Sequence, residues 1–469
     1  MTAPFRAHQA STWADAQLLR GDPQTRFSGV SIDSRTAGAG ELFVAIIGPQ
    51  HDGHDHVEDA VERGVRGLLI EQGRPVPETL PESLAVLAAT DTTHALGDLG
   101  AGHRSLHEGP VVAITGSNGK TTTKEMCASI LAVGAPCLKT SGNLNNAYGL
   151  PLTLLRRDDS HRSLVVELGM NHRGEIARLV EIARPTVGLI TNVGTAHIEF
   201  LGSREEIALE KGDLVAGLEA DGTAVLNADD PLVLVQSERT SARVVTFGRT
   251  ATADVRAEDV RAEPGRYRFS VVMPDARVDV QISGLGDTTV ANALAAAAAA
   301  LAAGATTDEI AVGLAAHRSI AGRLEPIALA DGSLVINDTY NANPQSLEVA
   351  LRVLASGPTS GEGRHLAVLG DMGELGAQTE EAHRQAGAQA ASLGVEELFA
   401  VGRHAAHVAE GARAAGLPDD RIHANEDWEK VTGALLARRT AGDHILVKGS
   451  RAMRMERIVE RITANEGVD

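Results

Sequence analysis

The chain has 469 residues, a formal charge of -19 and an isoelectric point near 5.4. That length exceeds what one hydrophobic core serves, so two or three domains of about 100–200 residues are expected. The acidic balance argues against general nucleic-acid binding, because a phosphate backbone is repelled on average, while a locally basic site for a small anion stays open.

The N-terminal stretch from Met1 to Gly21 holds no continuous apolar segment, and no apolar run reaches the roughly 18 residues of a spanning helix, so a cytoplasmic protein without membrane insertion is expected. Residues 1–108 alternate strand and helix signals, with strands at Glu41 to Ile47 and Gly67 to Ile70 and a helix over His54 to Arg63. This is the pattern of a small α/β domain. Within it, Ser31-Ile32-Asp33-Ser34-Arg35 offers hydroxyls and a guanidinium to a ribose or phosphate. The cluster His51-Asp52-Gly53-His54-Asp55 superficially suggests a metal, but a turn followed by an Asp helix cap is the preferred reading.

Residues 109–322 read as a parallel sheet covered on both faces. The β-branched run Val111 to Ile114 leads into Thr115-Gly116-Ser117-Asn118-Gly119-Lys120-Thr121-Thr122 and then a helix to about Leu131. Ile114 stands where the longer phosphate-loop signature has glycine, so the match is to a shorter form. Gly116 and Gly119 let backbone N–H groups approach phosphate oxygens, the helix N-terminus adds partial positive charge, Lys120 adds a full one, and the Thr121 hydroxyl can ligate Mg²⁺. Cys127 and Cys137 follow, too few for a metal cluster and expected as free thiols. A strand over Ser163 to Val166 ends at Glu167, and another over Thr186 to Thr191 leads to Asn192-Val193-Gly194-Thr195-Ala196-His197. Ligands in such sheets gather beyond the strands' carboxyl ends, so Glu167 and His197 are candidates to hold Mg²⁺ or shape its water shell. Arg204 to Leu218 reads as a helix with Ile207, Leu214 and Leu218 on one face, which leaves Lys211 a solvated lysine. The alanine-rich segment Asn292 to Ala303, stopped by Gly304, suits close helix packing.

Residues 323–469 restart the alternation, with strands at Ser333 to Ile336, His365 to Gly370, Leu398 to Val401 and His444 to Val447, a doubly wound Rossmann-like third domain. Three of these strands deliver polar clusters at one edge: Asp338-Thr339-Tyr340-Asn341-Ala342-Asn343-Pro344, Asp371-Met372-Gly373-Glu374 and Lys448-Gly449-Ser450-Arg451. Three clusters on one edge suggest a second binding face.

Taken together, these residues resemble the ATP-dependent Mur ligases of peptidoglycan synthesis. Thr115 to Thr121 looks like their phosphate loop, Lys139-Thr140-Ser141-Gly142-Asn143-Leu144-Asn145-Asn146 like their muramoyl-nucleotide segment, and Asn192 to Gly202 like their histidine-bearing turn. The clusters at 338–344, 369–376 and 447–451 look like the branch that joins D-Ala-D-Ala to UDP-N-acetylmuramoyl-tripeptide. The resemblance implies an N-terminal UDP-substrate domain with Asp33, Ser34 and Arg35 as candidates, and a muramoyl path along Thr140, Asn143, Asn145 and Asn146. It implies a central ATP-binding domain with Mg²⁺ served by Thr121, Glu167, His197 and a carbamate on Lys211. Asn292, Arg323, Asp338, Tyr340 and Asn341 would complete the ATP site, and Ser450 and Arg451 would take the dipeptide carboxylate. The region of Arg323 would be the hinge of a C-terminal domain that closes over the site, and nothing in the pattern demands more than a monomer. The rival readings are a sister ligase or folylpolyglutamate synthase adding a single amino acid, and a nucleotide-driven switch that makes no bond.

Overall fold

The computed structural model describes residues 4–263, 265–357 and 363–464. Besides a two-stranded antiparallel pairing of Phe5–Arg6 with Arg26–Phe27, three larger sheets follow one another along the chain. The first has five strands in the spatial order Gln17–Arg20, Ala85–Ala89, Gly67–Glu71, Leu42–Val44 and Val30–Ser31, parallel except for the Gln17–Arg20 edge. Phe5, Phe27, Leu96 and Leu99 close one of its faces. The His51 to Asp55 cluster is a helix cap: Asp52 Oδ1 accepts from the His54 backbone N–H at 3.0 Å, and Arg74 pairs with Oδ2 at 2.7 Å. The expected 54–63 helix accordingly begins as a tight turn, Gly53–His56, before Val57–Glu62.

The second sheet has nine strands. From Cys137–Lys139 at one edge it runs through Ser163–Glu167, Val111–Thr115, Val187–Ile190, Thr223–Asn227, Arg243–Gly248 and Val255–Glu263, all parallel. Arg266–Met273 and Ala276–Ser283 then extend it antiparallel, a departure from the all-parallel reading. The connections there are far shorter than the dozen or so residues a parallel crossover needs, so the chain has to fold back as hairpins. The alanine-rich helix Thr288–Ala302 buries Ala293 to Ala300 against the Lys120–Gly134 helix and this sheet. Small side chains there bring the two helices close, which sets Asn292 over the phosphate loop.

The third sheet orders its strands Glu325–Ala328, Leu334–Asp338, His444–Lys448, His365–Gly370, Glu397–Val401 and Ile422–Asn425, parallel except for the first. Its base is pinned by Arg364, which reaches the fully buried carboxylates of Glu397 at 2.8 Å and Asp443 at 2.9 Å. Among the described residues no helix is long and apolar enough to cross a membrane. Both cysteines are free thiols.

Candidate active site

The strand Val111–Thr115 is buried between two parallel neighbours, so the chain leaves the sheet at its carboxyl edge and turns sharply. Gly116 and Gly119 take φ of +147° and +82°. A Cβ on Gly116 would lie 1.9 Å from Thr191 Oγ1, and one on Gly119 2.4 Å from Asn292 Oδ1, so both positions require glycine. The loop is held from outside. Asn118 N–H donates to Asn192 Oδ1 at 2.9 Å, Asn118 C=O accepts from Thr191 Oγ1 at 2.7 Å, and Gly194 N–H donates to Ser117 Oγ at 2.8 Å. Lys120, at the first position of its helix, donates to Gly116 C=O at 2.7 Å. Burial lowers its pKa, opposed by the Glu167 carboxylate.

Glu167, only 3% exposed, ends its strand beside the loop. Its Oε2 accepts from Thr121 Oγ1 at 2.8 Å and its Oε1 from Asn145 Nδ2 at 2.9 Å. Thr140 departs from its expected place along a substrate path. It is fully buried, does not line the cavity, and uses its Oγ1 to accept from the Glu167 backbone N–H at 3.0 Å. Thr140 therefore holds the backbone of Glu167 at the end of its strand. Asn143, Asn145 and Asn146 do reach the cavity.

That cavity, of about 1120 Å³, lies between the carboxyl edges of the second and third sheets. Ser117 to Thr122, Glu167, His197 and Asn292 line it from one side, and Arg323, Asp338, Tyr340, Asn341 and Lys448 from the other. The Arg323 guanidinium sits 4.0 Å over the Tyr340 ring, and its buried Nε has no hydrogen-bond partner. Gly322 and Leu324 on either side of it adopt left-handed φ of +73° and +48°, the backbone of a tight bend. Lys448 Nζ donates to Asp338 Oδ2 at 2.5 Å and to Asn341 C=O at 3.0 Å.

His197 caps a short helix with φ of +67° and places Nδ1 2.7 Å from Glu374 Oε2, on the third domain. The approach lies off the ring N–H axis, so this is an electrostatic contact more than an aligned hydrogen bond. The ring beside Glu374 holds that carboxyl below the usual carboxylate range, with Lys120 adding to the effect. His197 and Glu167 thus share the cavity, while the imidazole pairs across the domain interface. Lys211 departs further from its reading as a solvated lysine. It is 1% exposed on the helix Arg204–Ala216, and burial, reinforced by the charge of Lys120, drives its pKa well below the ordinary lysine value.

A cavity that joins a short phosphate loop to polar strand ends of a second α/β domain is the arrangement found in proteins of known class. Profiles of the Mur ligase family catalytic domain, the Mur ligase middle domain and the Mur ligase glutamate ligase domain match residues 26–104, 114–300 and 322–451. The UDP-N-acetylmuramoyl-tripeptide–D-alanyl-D-alanine ligase of Escherichia coli (strain K12) is 39% identical over 439 residues, 93% of this chain and 94% of that protein. The chain belongs to the Mur ligase family. A crystal structure of MurF from Acinetobacter baumannii superposes with a TM-score of 0.90 at 33% identity, covering 99% of each chain. The MurF ligase of Thermotoga maritima in complex with ADP gives 0.81 at 29% identity, covering 93% of this chain and 97% of that one.

In this Mur ligase several sequence-derived candidates stand apart from the cavity. Asp33 and Arg35 pair with each other on the first domain at 2.9 and 2.7 Å, which lowers the Asp33 pKa to about 2, and Ser34 is buried beside them. Ser450 and Arg451 also lie off the cavity lining; the Arg451 side chain is 59% exposed, donates to Glu456 at 2.9 Å, and lies 6.0 Å from the Tyr340 ring. Residues not singled out as site candidates line it instead: Lys448, Gln345, Asn192 and Arg173. Lys448 and Asn192 sit in polar strand-end segments already visible in the sequence, where the missing information was which side chain faces inward; Gln345 lies just past the 338–344 cluster, in the first turn of the helix Pro344–Ser356, and Arg173 carried no signal.

Among the described residues no group of three or more His, Cys, Asp or Glu side chains is placed to hold a metal ion. A magnesium ion fits the remaining donor set, because Thr121 Oγ1 and Glu167 Oε2 converge beside the phosphate loop and phosphate oxygens and water would supply the other ligands. The unpaired Arg323 Nε likewise fits an anionic nucleotide in the same cavity.

Proposed function

We propose that this Mur ligase joins D-Ala-D-Ala to UDP-N-acetylmuramoyl-tripeptide, with ATP cleaved to ADP and phosphate through an acyl phosphate. The observation that carries the reading is the shared cavity: the phosphate loop and the polar strand ends of the third domain face one space, in a chain similar along nearly its whole length to UDP-N-acetylmuramoyl-tripeptide–D-alanyl-D-alanine ligases. The ADP bound to the Thermotoga maritima relative supports ATP as the nucleotide.

The chemistry explains the parts. A carboxylate is a poor electrophile, so one of its oxygens first attacks the γ-phosphorus, the bond to ADP breaks, and a mixed anhydride forms. Two anions have to meet for this, and Lys120 with the loop N–H groups offsets their repulsion. Magnesium, held by Thr121 and Glu167, would supply further positive charge to the phosphates. The dipeptide amine then attacks the acyl carbon, the tetrahedral intermediate collapses, and phosphate leaves with the original carboxylate oxygen. Asn143, Asn145 and Asn146, which line the cavity, would receive the muramoyl end, and Asp338, Tyr340 and Asn341 the nucleotide. Asp33, Ser34 and Arg35, and Ser450 and Arg451, would reach substrate only at the outer ends of a long ligand spanning the three domains.

Incubation with ATP, the UDP-tripeptide and one nucleophile at a time separates the alternatives by product mass. The expected result is ADP formation only with D-Ala-D-Ala and a product heavier by that dipeptide less water. A product carrying a single added amino acid would assign a sister activity, and phosphate release without any acceptor would assign a bare ATPase.

A further inference from the structure

The third domain grips the phosphate loop through two side chains at the wall of the cavity, Asn343 and Gln345. Asn343 is the N-cap of the helix Pro344–Ser356, and its Oδ1 accepts from the Ser346 backbone N–H at 2.9 Å. A backbone N–H can only donate, so the cap fixes the orientation of the amide and leaves Nδ2 as the outward group. That Nδ2 donates across the domain boundary to Asn118 Oδ1 in the phosphate loop at 2.9 Å. Gln345, on the same first turn, turns its Oε1 to accept from Thr195 Oγ1 at 2.7 Å and from Thr195 N–H at 3.3 Å. Its orientation is likewise set by a backbone donor.

The two gripped positions belong to one knitted unit. Ser117 N–H donates to Asn192 C=O at 2.9 Å, and Gly194 N–H returns a bond to Ser117 Oγ at 2.8 Å. A Cβ on Gly194 would stand 3.3 Å from both Gln345 Oε1 and Ser117 Cβ, so the close approach of the helix uses the bare backbone there. Asn343 is 8% exposed, and its cross-domain bond is partly buried at the wall of the cavity. With Glu374 on His197, the third domain therefore meets the loop and the turn after the neighbouring strand at three points.

We propose that Asn343 and Gln345 are positioning residues: by docking the third domain on Asn118 and Thr195 they keep the cavity shut to water while the acyl phosphate exists. The inference rests on the ligase reading above. An anhydride exposed to water hydrolyses, so loosening this contact converts amide formation into wasted phosphate release.

The test pairs Asn343→Ser with Gln345→Ala. Serine still caps the helix but falls short of Asn118, so the helix start survives while the cross-domain donor is lost. In the parent enzyme with ATP, the UDP-tripeptide and D-Ala-D-Ala, phosphate and amide product form one to one. The double variant is expected to release several phosphates per amide and to lose about tenfold in kcat, the scale of two net hydrogen bonds. The KM for the UDP-tripeptide and the thermal midpoint should stay close to the parent's. Gln345→Ala alone removes no cap, and is expected to show the same excess phosphate to a lesser degree even should the double variant fold poorly. One-to-one stoichiometry in the folded variants overturns the inference; a parent that forms no amide overturns the ligase reading and takes the inference with it.

Discussion

Lys120→Ala is expected to lower the rate of ADP formation by roughly 10²–10³-fold or more, the scale for losing one preorganised charge-stabilising group. The Lys120 ammonium stands at the head of the phosphate loop, donating to Gly116 C=O and facing Glu167. Nothing else in the loop carries a full positive charge, and the backbone N–H groups alone meet the γ-phosphate with partial charges. The scaffold of the loop does not depend on it, because Ser117, Asn118 and Gly194 are tied to the 191–194 segment without the lysine. Binding of the UDP-tripeptide, followed by calorimetry, should therefore persist in the variant. Simultaneous loss of nucleotide turnover and UDP-tripeptide binding would instead mean that the central domain had collapsed.

Lys211→Met is expected to lower turnover roughly a hundredfold or more while leaving the thermal midpoint unchanged or raised. A solvated lysine could be replaced by alanine without structural cost; this one is 1% exposed, so alanine would open a cavity, and methionine of similar shape is the informative change. Burial and the charge of Lys120 push Lys211 toward its neutral amine. A neutral amine attacks carbon dioxide at carbon and loses a proton to give a carbamate, the anion the family resemblance places here to bind a second magnesium ion. Methionine cannot do this. A carbamate carbon resonance in the parent grown or exchanged with ¹³C-bicarbonate, absent from the variant, would accompany the loss of activity; a variant within a few-fold of parent turnover would rule the carbamate out.

The phosphate loop was legible in the sequence because its physics is local: two glycines, a lysine and a threonine within one turn declare the backbone and the charge together. The strand ends at Glu167 and His197 were legible for a related reason, since the carboxyl edge of a parallel sheet is where ligands gather. The partners of these residues were not. Glu374 meets His197, and Asn343 meets Asn118, across a domain boundary that no periodicity encodes. Lys211 was misplaced because its helix buries Glu210 and Lys211 alongside Ile207 and Leu214, so polarity marks the wrong face as solvated. Glu210 shows why that burial is tolerated: its two carboxylate oxygens accept from the Gly174 and Ile176 N–H groups at 2.8 and 2.9 Å. The burial of Thr140 was not legible for a similar reason, a hydroxyl in a polar segment that accepts from the backbone N–H of Glu167. The antiparallel extension at 266–283 was missed because the strand-helix alternation upstream was carried past the point where the connections became too short for helices.

The central claim is that a carboxylate oxygen of the tripeptide passes to phosphorus before the amide forms. It is tested by preparing the UDP-tripeptide with ¹⁸O in its terminal carboxylate and analysing the phosphate released during one round of synthesis with D-Ala-D-Ala. Phosphate carrying one ¹⁸O atom is the predicted result; phosphate with no label, its fourth oxygen drawn from water, would contradict it.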